Sequence, residues 1–288
     1  MNARVTLPAS VQIAFVVFTL VLSVSVCSQL TVLVRLNDGQ ITEELLEADS
    51  EKDIITVEFK QADGNLITFL SDFKRRVKIF RALVLGEPEK GQSQYQALCF
   101  ISHLDHGELI PSEAMARLRQ VQILKNLKHH LCVIETERER VKNPHVVRSA
   151  EERHGVERFT MNAVLNMSRS WYLSTHIRNV CRDARDLVYT RQQDVKHWLD
   201  KGVEGSIFEV FPQSLNVTGL QSCSSTTDPW QPCTCTYRLN LEWFPCQLKY
   251  CRGQGPNPYK CGIKSCSKGY WFDFYIPYKQ LCLWDDDT

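Results

Sequence analysis

The chain has 288 residues, 43% of them hydrophobic and 23% charged, with 34 Lys and Arg against 33 Asp and Glu. This length and composition predict a folded core and one to three domains, and they exclude a low-complexity chain. A balanced charge gives no electrostatic reason to expect DNA or RNA as a partner, so nucleic-acid binding is set aside.

Arg4 gives the chain a weakly positive start, and an apolar run broken only by hydroxyl residues follows from Ile13 to Val26. Ser25 and Cys27 are the small residues before a cut between Cys27 and Ser28. Charged start, apolar core and small-residue exit predict a secretory signal peptide over residues 1–27. The rival, a single-pass anchor, needs about 20 apolar residues. The fully apolar core is shorter and lacks a flanking basic cluster, so no stable membrane anchor is expected after cleavage. Secretion to the extracellular space is therefore expected. The acceptor tripeptides Asn166-Met-Ser168 and Asn216-Val-Thr218 fit a secreted glycoprotein.

Strand signals dominate the next hundred residues. Leu30 to Leu36 is rich in β-formers and ends at the turn Asn37-Asp38-Gly39. Asp53 to Phe59 and Leu66 to Leu70 flank Ala62-Asp63-Gly64-Asn65, the pattern of a hairpin. Val77 to Leu85 and Tyr95 to Ile101 read as two further strands of a small antiparallel sheet. Helical signals begin at Ser112, an N-cap for residues 113–119. A second helix is expected over Val147 to Glu157. A third is expected from Asp183 to Lys201, with Val188, Val195, Trp198 and Leu199 on one face and Gly202 as its stop. Pro212 to Thr227 is polar, rich in Ser, Thr and Gln, and reads as a linker. The aromatic run Tyr270 to Pro277 reads as a disulfide-pinned strand rather than an exposed surface.

The cysteines are unevenly spread. Cys27 lies at the signal exit, and Cys99, Cys132 and Cys181 are scattered. Cys223, Cys233, Cys235, Cys246, Cys251, Cys261, Cys266 and Cys282 crowd the C-terminal end. Behind a signal peptide this density predicts a disulfide framework, of about a hundred pairings for eight cysteines. No C-x-x-C knuckle favours zinc instead. With few aliphatic residues the region would depend on its disulfides, each worth about 2–4 kcal/mol.

Several stretches carry a resemblance: Asp72-Phe73-Lys74, Phe80 to Glu87, Lys90 to Phe100, Ile110 to Met115, Pro258 to Gly262, Phe272 to Tyr275, and Leu281 to Asp285. Together they resemble the out at first family over nearly the whole mature chain. The resemblance implies a BRICHOS-like domain of α+β class, an antiparallel sheet with helices, over residues 28–211. A linker over 212–222 and a small disulfide-rich C-terminal domain over 223–288 would follow. It also implies that Asp72 matches the BRICHOS aspartate and that Cys99 pairs with Cys181. BRICHOS domains shield β-prone or hydrophobic clients, but no client segment is evident here. In the family pattern Arg119-Gln120 runs into Lys142-Asn143-Pro144, so residues 121–141 are expected as an insertion. Setting aside Cys27 and Cys132 leaves one pair plus eight cysteines, with Cys132 unpaired.

No nucleophile elbow, H-E-x-x-H or phosphate-binding glycine loop appears. His103, Asp105 and His106 could be ligands but read as a solvated loop for want of a further well-spaced ligand, and His129-His130 rate lower still. Asp72 is either a turn residue capping a hairpin or a buried carboxylate. No enzyme activity, metal or cofactor is expected. The expected function is that of an extracellular interaction protein with an unknown protein partner, with client shielding as the alternative.

Overall fold

The computed structural model describes residues 29–36, 38–86, 88–90, 94–116, 147–184, 188–210, 219–252, 258–282 and 284. Residues 1–27, the expected insertion at 121–141, Cys27, Cys132 and Asn216 lie outside them.

Among the described residues ten strands precede the cysteine-rich region: β1 (Gln29–Arg35), β2 (Ile41–Asp49), β3 (Ile54–Lys60), β4 (Leu66–Asp72), β5 (Val77–Leu85), β6 (Tyr95–His103), β7 (Glu152–Met161), β8 (Ala163–Leu165), β9 (Val188–Thr190) and β10 (Phe208–Val210). Nine of them form one sheet in the order β1-β2-β3-β4-β5-β6-β9-β8-β10. The first six make an antiparallel meander, whereas β9 runs parallel to β6. The expected hairpin turn forms at Gly64, whose φ of 90° an L side chain rarely adopts. Asp63 Oδ1 accepts from the Asn65 backbone N–H there at 3.0 Å.

Two long strands follow, β11 (Cys233–Cys251) and β12 (Tyr259–Ile276), paired as an antiparallel hairpin. The strand β7 joins them in parallel, giving a second sheet ordered β11-β12-β7. The expected second helix is therefore absent. Its residues are polar and mostly exposed through Glu157, so no apolar helical stripe holds them, and pairing with the β12 backbone decides their conformation. Strand β2 was not expected, since its Glu- and Leu-rich sequence favours helix. Pairing with β1 and β3 on both sides overrides that preference.

Two helices cover the far face of the large sheet. Helix α1 (Thr175–Val180) is capped by Ser174, whose Oγ accepts from the His176 N–H. Helix α2 (Gln192–Asp200) buries Val195 and Trp198, and Gly202 stops it at φ 84°. The expected third helix is shorter than its sequence suggested. Val188 is buried in β9 instead, and Leu199 is 42% exposed. Residues 112–116 are helical, at the expected first helix.

Of the described residues 52% are in strands and few are helical, with a disulfide-rich region toward the C-terminus. The three layers enclose two apolar clusters. One lies between the sheets; the other lies between the large sheet and the helices and holds Ile79, Ile101, Ile177 and Trp198. In the first, Phe100 of β6 stacks on Phe272 of β12 with centroids 4.2 Å apart. Phe80 of β5 meets Tyr270 at 4.8 Å. The cysteine-rich strands therefore share a core with the N-terminal sheet.

Candidate functional site

Local bonds and disulfides hold one exposed part of the C-terminal region in place. The Cys223–Cys233 disulfide ties the segment before β11 to its first residue. Cys235–Cys282 ties β11 to the end of the chain, across a turn at Lys279–Leu281. Between them, Asp228 accepts from the Trp230 N–H at 2.9 Å and closes a short turn. The Lys279 N–H donates to the Gln231 carbonyl and the Gln280 N–H to the Pro229 carbonyl, each at 3.1 Å. Lys279 Nζ donates to the Thr226 carbonyl at 2.6 Å. The result is a clamped loop carrying Trp230, 66% exposed, and Tyr278, 47% exposed, packed edge to face at 5.8 Å. Sequence reading missed this pair. The available signal was a Trp held between Pro229 and Pro232 just ahead of Cys233 and Cys235.

The remaining disulfides are Cys99–Cys181, Cys246–Cys266 and Cys251–Cys261. Cys99 of β6 reaches the end of α1, so this bond pins the helix layer to the sheet. Asp72, 3% exposed at the end of β4, fastens the same layer. Its Oδ2 accepts from Ser174 Oγ at 2.6 Å and its Oδ1 from the Arg75 N–H at 3.0 Å. It is thus both buried and turn-capping. Asn166 follows β8, where its Oδ1 accepts from the Ser168 N–H.

A buried charge cluster joins the two sheets. Lys78 of β5, 1% exposed, donates to both Glu108 carboxylate oxygens at 2.8 and 2.9 Å. Lys268 and Tyr270 of β12 donate to the same carboxylate at 3.1 and 3.0 Å. Burial alone would raise the Glu108 carboxyl, but the two lysines outweigh it and hold the group below its ordinary range. The cluster is saturated and enclosed, so it works as an inter-sheet tie rather than a reactive centre.

The groove between β7 and α2, about 650 Å³, is lined by Arg158, Asn162, Arg191, Gln192 and Lys196 among others. Arg158 is engaged by Asp273 and Arg191 by Asp194, which leaves the groove little free charge for an anion. Among the described residues, one group of three potential metal ligands converges: His154, Cys246 and Cys266. Both sulfurs are bonded to each other, so they cannot act as thiolate ligands. His103 and Asp105 stay together, with Nδ1 and Oδ1 3.3 Å apart, while His106 is exposed. No helix among the described residues is long and apolar enough to cross a membrane.

A family profile described as Out at first matches residues 28–129 and 132–198, and one described as Out at first, C-terminal, matches residues 222–286. The break at 130–131 falls within the stretch expected as an insertion. An out at first protein of Drosophila melanogaster is 37% identical over 274 residues, covering 90% of this chain and 52% of that protein. One from Drosophila virilis is 36% identical over 292 residues, covering 94% and 87%. The chain therefore spans about half the length of the first relative and most of the second. No solved structure matches.

Proposed function

Because the chain belongs to the out at first family, we propose that it is a secreted, noncatalytic glycoprotein that binds an extracellular protein through its disulfide-clamped C-terminal region. The observation that carries this reading is the Trp230–Tyr278 pair. Two large rings stand in solvent on a loop fixed by two disulfides and three backbone-directed bonds. Exposed Trp and Tyr on a preorganised surface are the commonest anchors of protein interfaces, because little order is lost when they dock. Five disulfides and the signal-like N-terminus support an extracellular setting.

The finer fold reading is BRICHOS-like. It is supported by Asp72 and the Cys99–Cys181 bond, which both tie the helix layer to the antiparallel sheet. Client shielding ranks second. The aromatic sheet face of Phe69, Phe80 and Phe100 is already covered by the second sheet, so a client would need another surface.

The test is cross-linking of the intact secreted chain to the surface of responsive cells, beside Trp230→Ala and Tyr278→Ala. Loss of a specific cross-linked partner in both variants, at unchanged secretion, is the expected result. Cross-linking that is equally strong in all three chains would remove the proposed surface.

A further inference from the structure

His103 has no second metal-ligand candidate near it in sequence beyond Asp105 and His106, and the fold supplies one from 94 positions away. Helix α2 lies over the end of β6 and brings the His197 ring within 4.1 Å of the His103 ring, centroid to centroid, with the planes at 59°. The Nε2 atoms of both rings are buried, and neither meets a hydrogen-bond partner. Thr190, next to α2 and on the same sheet face, buries an unpartnered hydroxyl as well. Two imidazoles in ring contact, each with a buried Nε2 left bare, are costly unless a water or an ion satisfies them.

The other side of His103 is arranged as a ligand requires. Asp105 faces Nδ1 at 3.3 Å, so the carboxylate holds the N–H there and leaves the Nε2 lone pair free. A carboxylate behind the distal nitrogen is the usual support of a metal-bound imidazole. We propose that His103 and His197 form a two-imidazole site for a borderline divalent transition-metal ion of the zinc or copper class, with solvent completing its coordination. Among the described residues no free thiolate is grouped with these two rings, and imidazole is a donor common to both metals. The Arg76 guanidinium is directed at the Leu104 carbonyl, where its Nε and Nη2 each donate at 3.3 Å.

The experiment is calorimetric titration of Zn²⁺ and of Cu²⁺ into the intact, chelator-treated protein. Binding of one ion per chain is expected, with His103→Gln and His197→Gln each weakening it about tenfold or more, as lost ligands do. His106→Gln and His154→Gln should bind as the parent does. Should a ligand variant fail to fold, histidine ¹⁵N spectra of the unaltered protein decide the matter: zinc should shift the Nε2 signals of His103 and His197. Absence of binding by the parent, binding that survives both ligand replacements, or zinc shifts confined to other histidines would each overturn the proposal.

Discussion

Asp72, which is buried, and Glu108, which is half-buried, are carboxylates that hold layers together, whereas Glu44 is a fully buried carboxylate on β2. Replacing Asp72 by Ala strands the Ser174 hydroxyl and the Arg75 N–H, and should cost about 2–3 kcal/mol in urea unfolding. Asp72→Asn keeps an acceptor and should cost less. Glu44 is 0% exposed on β2. Burial, with help from Glu242, pushes its carboxyl well above the ordinary 4.5, against a smaller pull from the Trp243 backbone. A folded pKa above the unfolded one means the folded state holds more protons as pH rises past 4.5, so stability falls there. Glu44→Gln should remove that fall and raise the melting temperature at pH 7 more than at pH 4. Glu108 has the opposite sign: its carboxyl is depressed, so its stabilisation is present above 4.5 and is lost as pH drops. Glu108→Gln should therefore cost about 3 kcal/mol or more at pH 7 and little in acid, read from melting curves across that range. Sequence pointed to Asp72 through the family resemblance. It gave no sign of Glu44 or Glu108, whose burial comes from strands and a loop distant in the chain.

At the scale of elements, local patterns worked where a segment's own residues decide its conformation. Val77 to Leu85 matches β5 at both ends, because its β-branched and aromatic residues face packed layers on both sides. Gly202 stops α2 for a purely local reason, its positive φ. The patterns failed at β2 and β7, whose polar, Glu-rich sequences resemble helix and become strands only through their partners. The bond between Cys99 and Cys181 spans 82 residues, and closing so long a loop stabilises by roughly 4 kcal/mol on the chain-entropy account. The double variant Cys99→Ser and Cys181→Ser should lose about that much, measured as the denaturation midpoint of secreted protein. It should also release α1, seen as faster amide exchange over residues 175–180.

The whole molecule is bound by a core that crosses from the large sheet to the cysteine-rich strands. Phe272 is 0% exposed and touches Phe80, Phe100 and Phe159, so Phe272→Ala should cost about 3–5 kcal/mol. A chain ending at residue 210 would uncover Phe69, Phe80 and Phe100 and lose every ring packed on them from β12. It should bind a hydrophobic dye and aggregate, as judged by fluorescence and light scattering. A soluble monomer with parental stability would instead show two independent cores.

Sequence by itself determined the family, most strands of the meander, the cysteine-rich C-terminal region and the strand nature of the aromatic run. Each rests on residues adjacent in the chain, or on a pattern specific enough to recognise. Only the tertiary structure decided that β7 leaves the N-terminal half to pair with β12, that one core serves both halves, and that His197 meets His103. It also decided which rings of the cysteine-rich region are buried and which, such as Trp230, Tyr250, Tyr259 and Tyr278, stand in solvent. These depend on contacts between residues tens to hundreds of positions apart, where burial and hydrogen bonding across sheets override local preference.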